Sequence, residues 1–172
     1  MRKAIVVVDM QNDFIDGALG TKEAQEMLPR LVEKLAHEAD AAEFLFTMDT
    51  HAADYLSTQE GRKLPVEHCI KPSKGWELAS QLAPFAEKAK AVLEKPTFGS
   101  TKLPEFVAEY DEIELVGLCT DICVISNAML LKAFYPEKTI SIDPACCAGV
   151  TPESHKNALA AMKMCQIEIR EQ

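Results

Sequence analysis

Short apolar runs rich in β-branched residues alternate with segments of helical spacing along most of this chain. Ala4-Ile-Val-Val-Val-Asp9 is apolar up to its last residue, the pattern of a strand covered on both faces. A helix is predicted over about Lys22 to Ala39, where Leu28, Leu31, Val32 and Leu35 recur at helical spacing. Phe44 to Met48 reads as a second strand, and a loop-rich stretch follows from Thr50 to Gly75. Helical spacing returns over Trp76 to Phe85. Ala89 to Glu94 reads as a third strand, stopped by Lys95-Pro96 because proline cannot continue a central ladder. A short helix over Lys102 to Glu109, a strand over Glu112 to Gly117, a helix over Asp121 to Phe134 and a strand over Lys138 to Ile142 come next. Thr151 caps a last helix that opens on Pro152 and runs to Lys163, and Cys165 to Ile169 closes the series as a strand.

No repeat, low-complexity tract or linker interrupts this order. The expectation is one domain over residues 1–172, a three-layer αβα arrangement around a mostly parallel six-stranded sheet.

Composition narrows the function. The 172 residues carry a formal net charge of -9, so no basic surplus is available to neutralise phosphates, and a nucleic-acid partner is not expected. No apolar stretch approaches a membrane span. Met1-Arg2-Lys3 resembles the start of an export signal, but its apolar run ends at Asp9, and a cytoplasmic protein is expected. The six cysteines show no CxxC spacing; without export, most are expected to be small buried hydrophobes rather than a disulfide framework. Two of the four histidines, His37 and His155, fall on predicted helices and are expected on the solvated surface.

In parallel sheets the site lies outside the carboxyl ends of the strands, where strand order reverses. Asp9 ends the first predicted strand, Lys95 ends the third, and Cys123 follows the fourth at a helix start. A helix N-terminus and Lys95 would lower the thiol pKa of Cys123, and Asp9 would accept its proton. A nucleophile, a base and a cation on one edge suit acyl transfer.

These residues also carry a resemblance. Val7-Val-Asp-Met-Gln-Asn-Asp-Phe14, Lys95-Pro-Thr-Phe-Gly99 and Gly117-Leu-Cys-Thr-Asp-Ile-Cys-Val124 are similar, in this order, to three signature segments of the isochorismatase-like cysteine hydrolases, which include the nicotinamidases. The resemblance implies a triad of Asp9, Lys95 and Cys123, an oxyanion hole from the backbone N–H groups of Cys119 and Cys123, and a non-proline cis peptide at Leu118–Cys119. It implies a small amide as substrate, nicotinamide first, with no organic cofactor, and a homo-oligomeric enzyme.

Asp49-Thr-His51 places two ligand-type side chains on one face of an extended segment, and His68 follows within Pro65-Val-Glu-His-Cys69. Nicotinamidases bind zinc or a related divalent ion through a similar set, which implies a metal here on Asp49, His51 and His68. Glu60 is the first candidate for a fourth ligand and Glu67 the second. Oxygen and imidazole donors suit Zn²⁺, Mn²⁺ or Fe²⁺. By the same resemblance Phe14 and Phe98 line the ring pocket. One departure stands out: many nicotinamidases place a Trp shortly before the metal His, where this chain has Lys63-Leu-Pro65. The single tryptophan, Trp76, is expected to open a helix onto the core.

Three other readings stay open at this point. They are hydrolysis of an enol ether of the isochorismatase type, a thiol-based redox sensor using Cys123, and a non-catalytic binding domain on the same fold.

Overall fold

A computed structural model describes residues 1–170; the last two residues of the expected domain, Glu171 and Gln172, lie outside the described residues. Six strands, β1 (Lys3–Val8), β2 (Glu43–Asp49), β3 (Ala91–Lys95), β4 (Glu112–Leu118), β5 (Thr139–Ala148) and β6 (Glu168–Ile169), form one sheet in the order β3-β2-β1-β4-β5-β6. Every strand pairing is parallel.

The strict alternation of a strand explains why β1 has no polar face. Ile5 and Val7 point into one apolar cluster and Ala4, Val6 and Val8 into the other, so both sides of the strand are covered. On the Ile5 face lies α2 (Lys22–Glu38), which follows the single turn α1 (Asn12–Ile15). The Thr21 hydroxyl caps α2 by accepting from Ala24 N–H, and Ala24, Met27, Leu28, Leu31 and Leu35 form its buried stripe. On the Val6 face lie α5 (Leu103–Phe106), α6 (Ile125–Phe134) and α7 (Pro152–Met164), which contribute Leu103, Ala128, Leu131, Ala158 and Met162. The short α3 (Gln59–Lys63) and α4 (Ala83–Ala86) sit in the connections after β2. Among the described residues no helix is long and apolar enough to cross a membrane.

Several elements differ from the sequence expectation. The stretch from Trp76 to Phe85 is not one helix. Asn12 N–H donates to Glu77 C=O and Ala79 N–H to Met10 C=O, which draws this backbone onto the end of β1 and leaves only a 3₁₀ turn, Ser80–Leu82, followed by α4. The helix predicted to start at Asp121 is divided into a π-helical turn, Thr120–Val124, and α6. β5 continues past Ile142 to Ala148, through Pro144, because its register against β4 shifts between Leu115 and Gly117; at such an irregularity a residue without an N–H is tolerated. β6 is reduced to Glu168–Ile169, and α5 to one turn.

Candidate active site

The strand order reverses at β1, whose two neighbours are β2 and β4. The carboxyl ends of these strands and of β3 deliver the chemistry. The β1–β4 approach is close enough to require a glycine: Gly117 has φ +112°, and a Cβ there would stand 2.2 Å from the Val8 carbonyl oxygen. Asp9, the next residue of the first chain segment, takes a left-handed conformation with φ 48°, one that Asp adopts more readily than most residues. Its N–H donates to Thr47 C=O, and its Oδ1 accepts from the Thr47 hydroxyl at 2.7 Å.

Lys95 is the last residue of β3, beside Asp49 of β2 in the ladder. Its Nζ lies 2.6 Å from Asp9 Oδ2 and 3.5 Å from Cys123 Sγ, and donates to Thr97 C=O at 2.9 Å. Asp9, Lys95 and Cys123 are therefore brought together, all three buried. Burial raises the Asp9 carboxyl above its ordinary value, against the attraction of Lys95. Burial alone would lower Lys95, but the negative charge of Asp9 outweighs it and holds the ammonium protonated. The thiol corrects a sequence expectation. Cys123 sits inside the π-turn rather than at a free helix start, and burial, then the Asp9 charge, push its pKa well above the ordinary value. Lys95 opposes this and is outweighed, so the resting sulfur carries its proton.

Asp49, His51, Glu60 and His68 form the second group. Each offers one ligand atom, and these atoms all lie within 4.8 Å of one another. His51 Nε2 is 2.9 Å from Asp49 Oδ2 and 3.7 Å from Glu60 Oε1; His68 Nε2 is 3.4 and 3.6 Å from the same two oxygens. His68 Nδ1 donates to Val66 C=O at 2.8 Å, which leaves Nε2 to face the carboxylates. Asp49 Oδ1 is buried with no hydrogen-bond partner. That oxygen lies 3.7 Å from Lys95 Nζ and turns away from the histidines; it is the set of two imidazole nitrogens and two carboxylate oxygens around one point that fits a single divalent ion with bonds of about 2.0–2.2 Å. Glu67 is exposed and stands outside this group, so Glu60 is the fourth member.

Between the two groups opens a narrow cleft whose walls include Phe14, Leu19, Leu64, Phe98 and Ile122. Asp49, Glu60, His68, Cys119 and Cys123 complete the lining, so Phe14 and Phe98 share one cleft with Cys123. The peptide Leu118–Cys119 is cis, as the resemblance implied.

Other side chains escaped the sequence reading. Asn127 is fully buried; its Nδ2 donates to Cys123 C=O at 2.8 Å and its Oδ1 accepts from Ser100 N–H at 2.9 Å, tying the loop after β3 to the nucleophile turn. It lies one helical turn beyond Cys123, the only signal the sequence offered. Tyr55 packs its ring 4.8 Å from His51 and 5.0 Å from His68. His155 corrects an expectation: it is half-buried, and its Nδ1 is 2.7 Å from the hydroxyl of Thr120, at the start of the π-turn. Trp76 opens no helix; it packs against the α2-side core, and its Nε1 donates to the Thr50 hydroxyl at 2.9 Å. All six cysteines are free.

Known proteins share this architecture. The family model described as "Isochorismatase domain" matches residues 3–171. The Bacillus subtilis (strain 168) "Uncharacterized isochorismatase family protein PncA" is 29% identical over 174 residues, covering 93% of this chain and 93% of that protein. The crystal structure of nicotinamidase/pyrazinamidase PncA from Bacillus subtilis superposes with a TM-score of 0.84 at 30% identity, covering 99% of this chain and 100% of that one. The pyrazinamidase of Pyrococcus horikoshii in complex with zinc gives a TM-score of 0.85 at 25% identity, covering 100% of both chains.

Proposed function

The chain belongs to the isochorismatase family, and from that premise we propose that it is a nicotinamidase-like amidase that cleaves a small amide through a thioester on Cys123, with nicotinamide as leading substrate. The observation that carries this reading is the position of Lys95 Nζ, 2.6 Å from the Asp9 carboxylate and 3.5 Å from the sulfur of Cys123, which itself lines the cleft.

Cys123 Sγ attacks the amide carbon as its proton passes to Asp9, and the carbonyl oxygen becomes an oxyanion facing the N–H groups of Cys119 and Cys123. One such donor is worth about 3–4 kcal/mol of barrier. Asp9 then protonates the departing nitrogen, ammonia leaves, and a thioester remains. Asp9 next takes a proton from water, whose oxygen attacks the thioester; the acid leaves and the thiol regains its proton. The base has the raised pKa this work requires. Lys95 keeps its charge throughout and balances the base.

Asp49, His51, Glu60 and His68 would hold a divalent ion; the donors suit zinc, manganese or iron, and the zinc-bound Pyrococcus relative favours zinc. Bound there, the ion supplies a Lewis acid for a pyridine-like ring nitrogen or a water. Phe14 and Phe98 would flank a flat ring bound in the cleft, and Leu64 adds an aliphatic wall.

The lining favours a neutral amide over the enol-ether alternative. Isochorismate is a dicarboxylate, yet among the described residues no Lys or Arg lines the cleft, and Lys95 behind Cys123 is paired with Asp9. Free thiols in every position suit the reducing cytoplasm.

The test is ammonia release from nicotinamide beside a panel of small neutral and anionic amides, with Cys123→Ala protein as control. Release from nicotinamide that vanishes in the control is expected. Release only from another amide changes the substrate and keeps the mechanism. Release that persists in the Cys123→Ala protein overturns the thioester route.

A further inference from the structure

Two polar side chains without a part in the proposed reaction close on the segments that carry the metal donors. Gln11, just past Asp9, is fully buried. Its Oε1 accepts from Asp49 N–H at 2.8 Å, while its Nε2 donates to Asp49 C=O at 2.8 Å and to Trp76 C=O at 2.8 Å. One amide thus grips the backbone of Asp49 on both sides of the α-carbon. Two residues on, Asp13 Oδ2 accepts from Cys69 N–H at 2.8 Å and Oδ1 from Ala18 N–H at 3.3 Å. Cys69 follows His68 directly and holds the second histidine as well: His51 N–H donates to Cys69 C=O, and Lys71 N–H to His51 C=O.

We propose that Gln11 and Asp13 are positioning residues that preset the metal site, Gln11 by fixing the Asp49 arm and Asp13 by fixing the paired His51 and His68 arms. The inference rests on the metal part of the proposed function. The residue types follow from the contacts. At position 11 the end group must accept once and donate twice, which a carboxamide does and a carboxylate does not. At position 13 only acceptors are wanted, because both partners are backbone N–H groups. Gly75 completes the fit, since a Cβ there would stand 2.2 Å from the Asp13 carboxylate.

Such support acts on metal affinity before it acts on the fold, and losing it typically weakens binding by about 10–100-fold. The experiment measures zinc affinity by competition with a chromogenic chelator for the wild type, Gln11→Glu, Asp13→Asn and Asn12→Ala proteins. Asn12 is the control: its Nδ2 donates to Lys74 C=O at 2.8 Å from the same short turn but touches no donor segment. Circular dichroism checks folding, and the iodoacetamide reactivity of Cys123 checks the neighbouring triad. The expected result is a tenfold or greater loss of zinc affinity in Gln11→Glu and in Asp13→Asn, with Asn12→Ala within twofold of wild type and Cys123 reactivity kept. If Gln11→Glu does not fold, Asp13→Asn decides. Equal affinity in all folded variants overturns the proposal, as does an Asn12→Ala loss as large as the others. A wild type that binds no zinc overturns it too, but through the metal assignment, which leaves the thioester reading standing.

Discussion

Replacing Lys95 with Met tests whether this cation exists to balance Asp9. The two charges are 2.6 Å apart and neither side chain is more than 1% exposed. Removing one partner of a buried pair costs about 3–5 kcal/mol, since the remaining charge has neither water nor counterion. Asp9 has one way out, which is to take a proton. In the wild type its carboxyl already titrates above the ordinary value of 3.8 because of burial. Ionising it therefore costs stability, a cost absent below the unfolded value and complete once the pH has passed the folded one. Without Lys95 the folded value climbs further, and each unit of that climb adds about 1.4 kcal/mol of penalty at high pH while adding little below it. Urea denaturation of metal-free wild-type and Lys95→Met protein at pH 5 and pH 8 measures this. The loss at pH 8 should reach about 3–5 kcal/mol and exceed the loss at pH 5. Equal losses at the two pH values, or a larger one at pH 5, would refute the charge-balance argument.

Three further outcomes are expected. Asp9 holds the Cys123 thiol up, so Asp9→Asn should speed iodoacetamide alkylation of Cys123 several-fold at pH 8 while ammonia release falls by about 10²–10⁴; peptide-resolved mass spectrometry separates Cys123 from the exposed Cys165, and slower alkylation would contradict the assigned cause. Gly117→Ala should cost about 3 kcal/mol in urea denaturation, from its positive φ and the contact with Val8 C=O, and a loss under about 1 kcal/mol would mean that β1 and β4 part easily. Protein purified without added metal should carry about one zinc per chain by elemental analysis and lose amidase activity to a chelator, with zinc restoring it; less than about a tenth of an equivalent with unchanged activity counts against the site.

How far the sequence could be read depended on the range of the deciding contact. β1 was legible because five buried apolar residues in a row leave few alternatives, and α2 because its stripe and Thr21 cap are local. The segment from Trp76 to Phe85 was misread because its backbone partners, at Met10 and Asn12, are far away in the chain. The fifth strand reads from the sequence only as far as Ile142, and the β4 register reveals that β5 continues through Pro144 to Ala148. In the site, the residue types with direct chemistry were visible in spaced motifs. Gln11, Asp13, Tyr55 and Asn127 were not, because each acts on a segment that the sequence does not bring near it. The thiol's direction of shift was misjudged for the same reason. A helix terminus and a lysine can be read along the chain, whereas burial and the placement of a carboxylate appear only once four strand ends converge.

That reversal makes the cluster chemically more coherent. A preformed thiolate beside Asp9 would put two anions against one cation in a buried floor. With the proton on sulfur, Asp9 and Lys95 are a neutral pair and Cys123 is uncharged. On the proposed route, attack moves the proton to Asp9 and creates one negative charge on the substrate oxygen. The count stays at one anion and one cation, and only the anion's position changes. Charge is never added to a site that excludes water, and the anion is handed from a carboxylate to an oxyanion that meets backbone N–H groups. On this route Lys95 would balance the base rather than activate the sulfur. Proton transfer must accompany carbon–sulfur bond formation at the carbonyl, so an amide that cannot bring its carbonyl to the sulfur should leave the thiol unacylated.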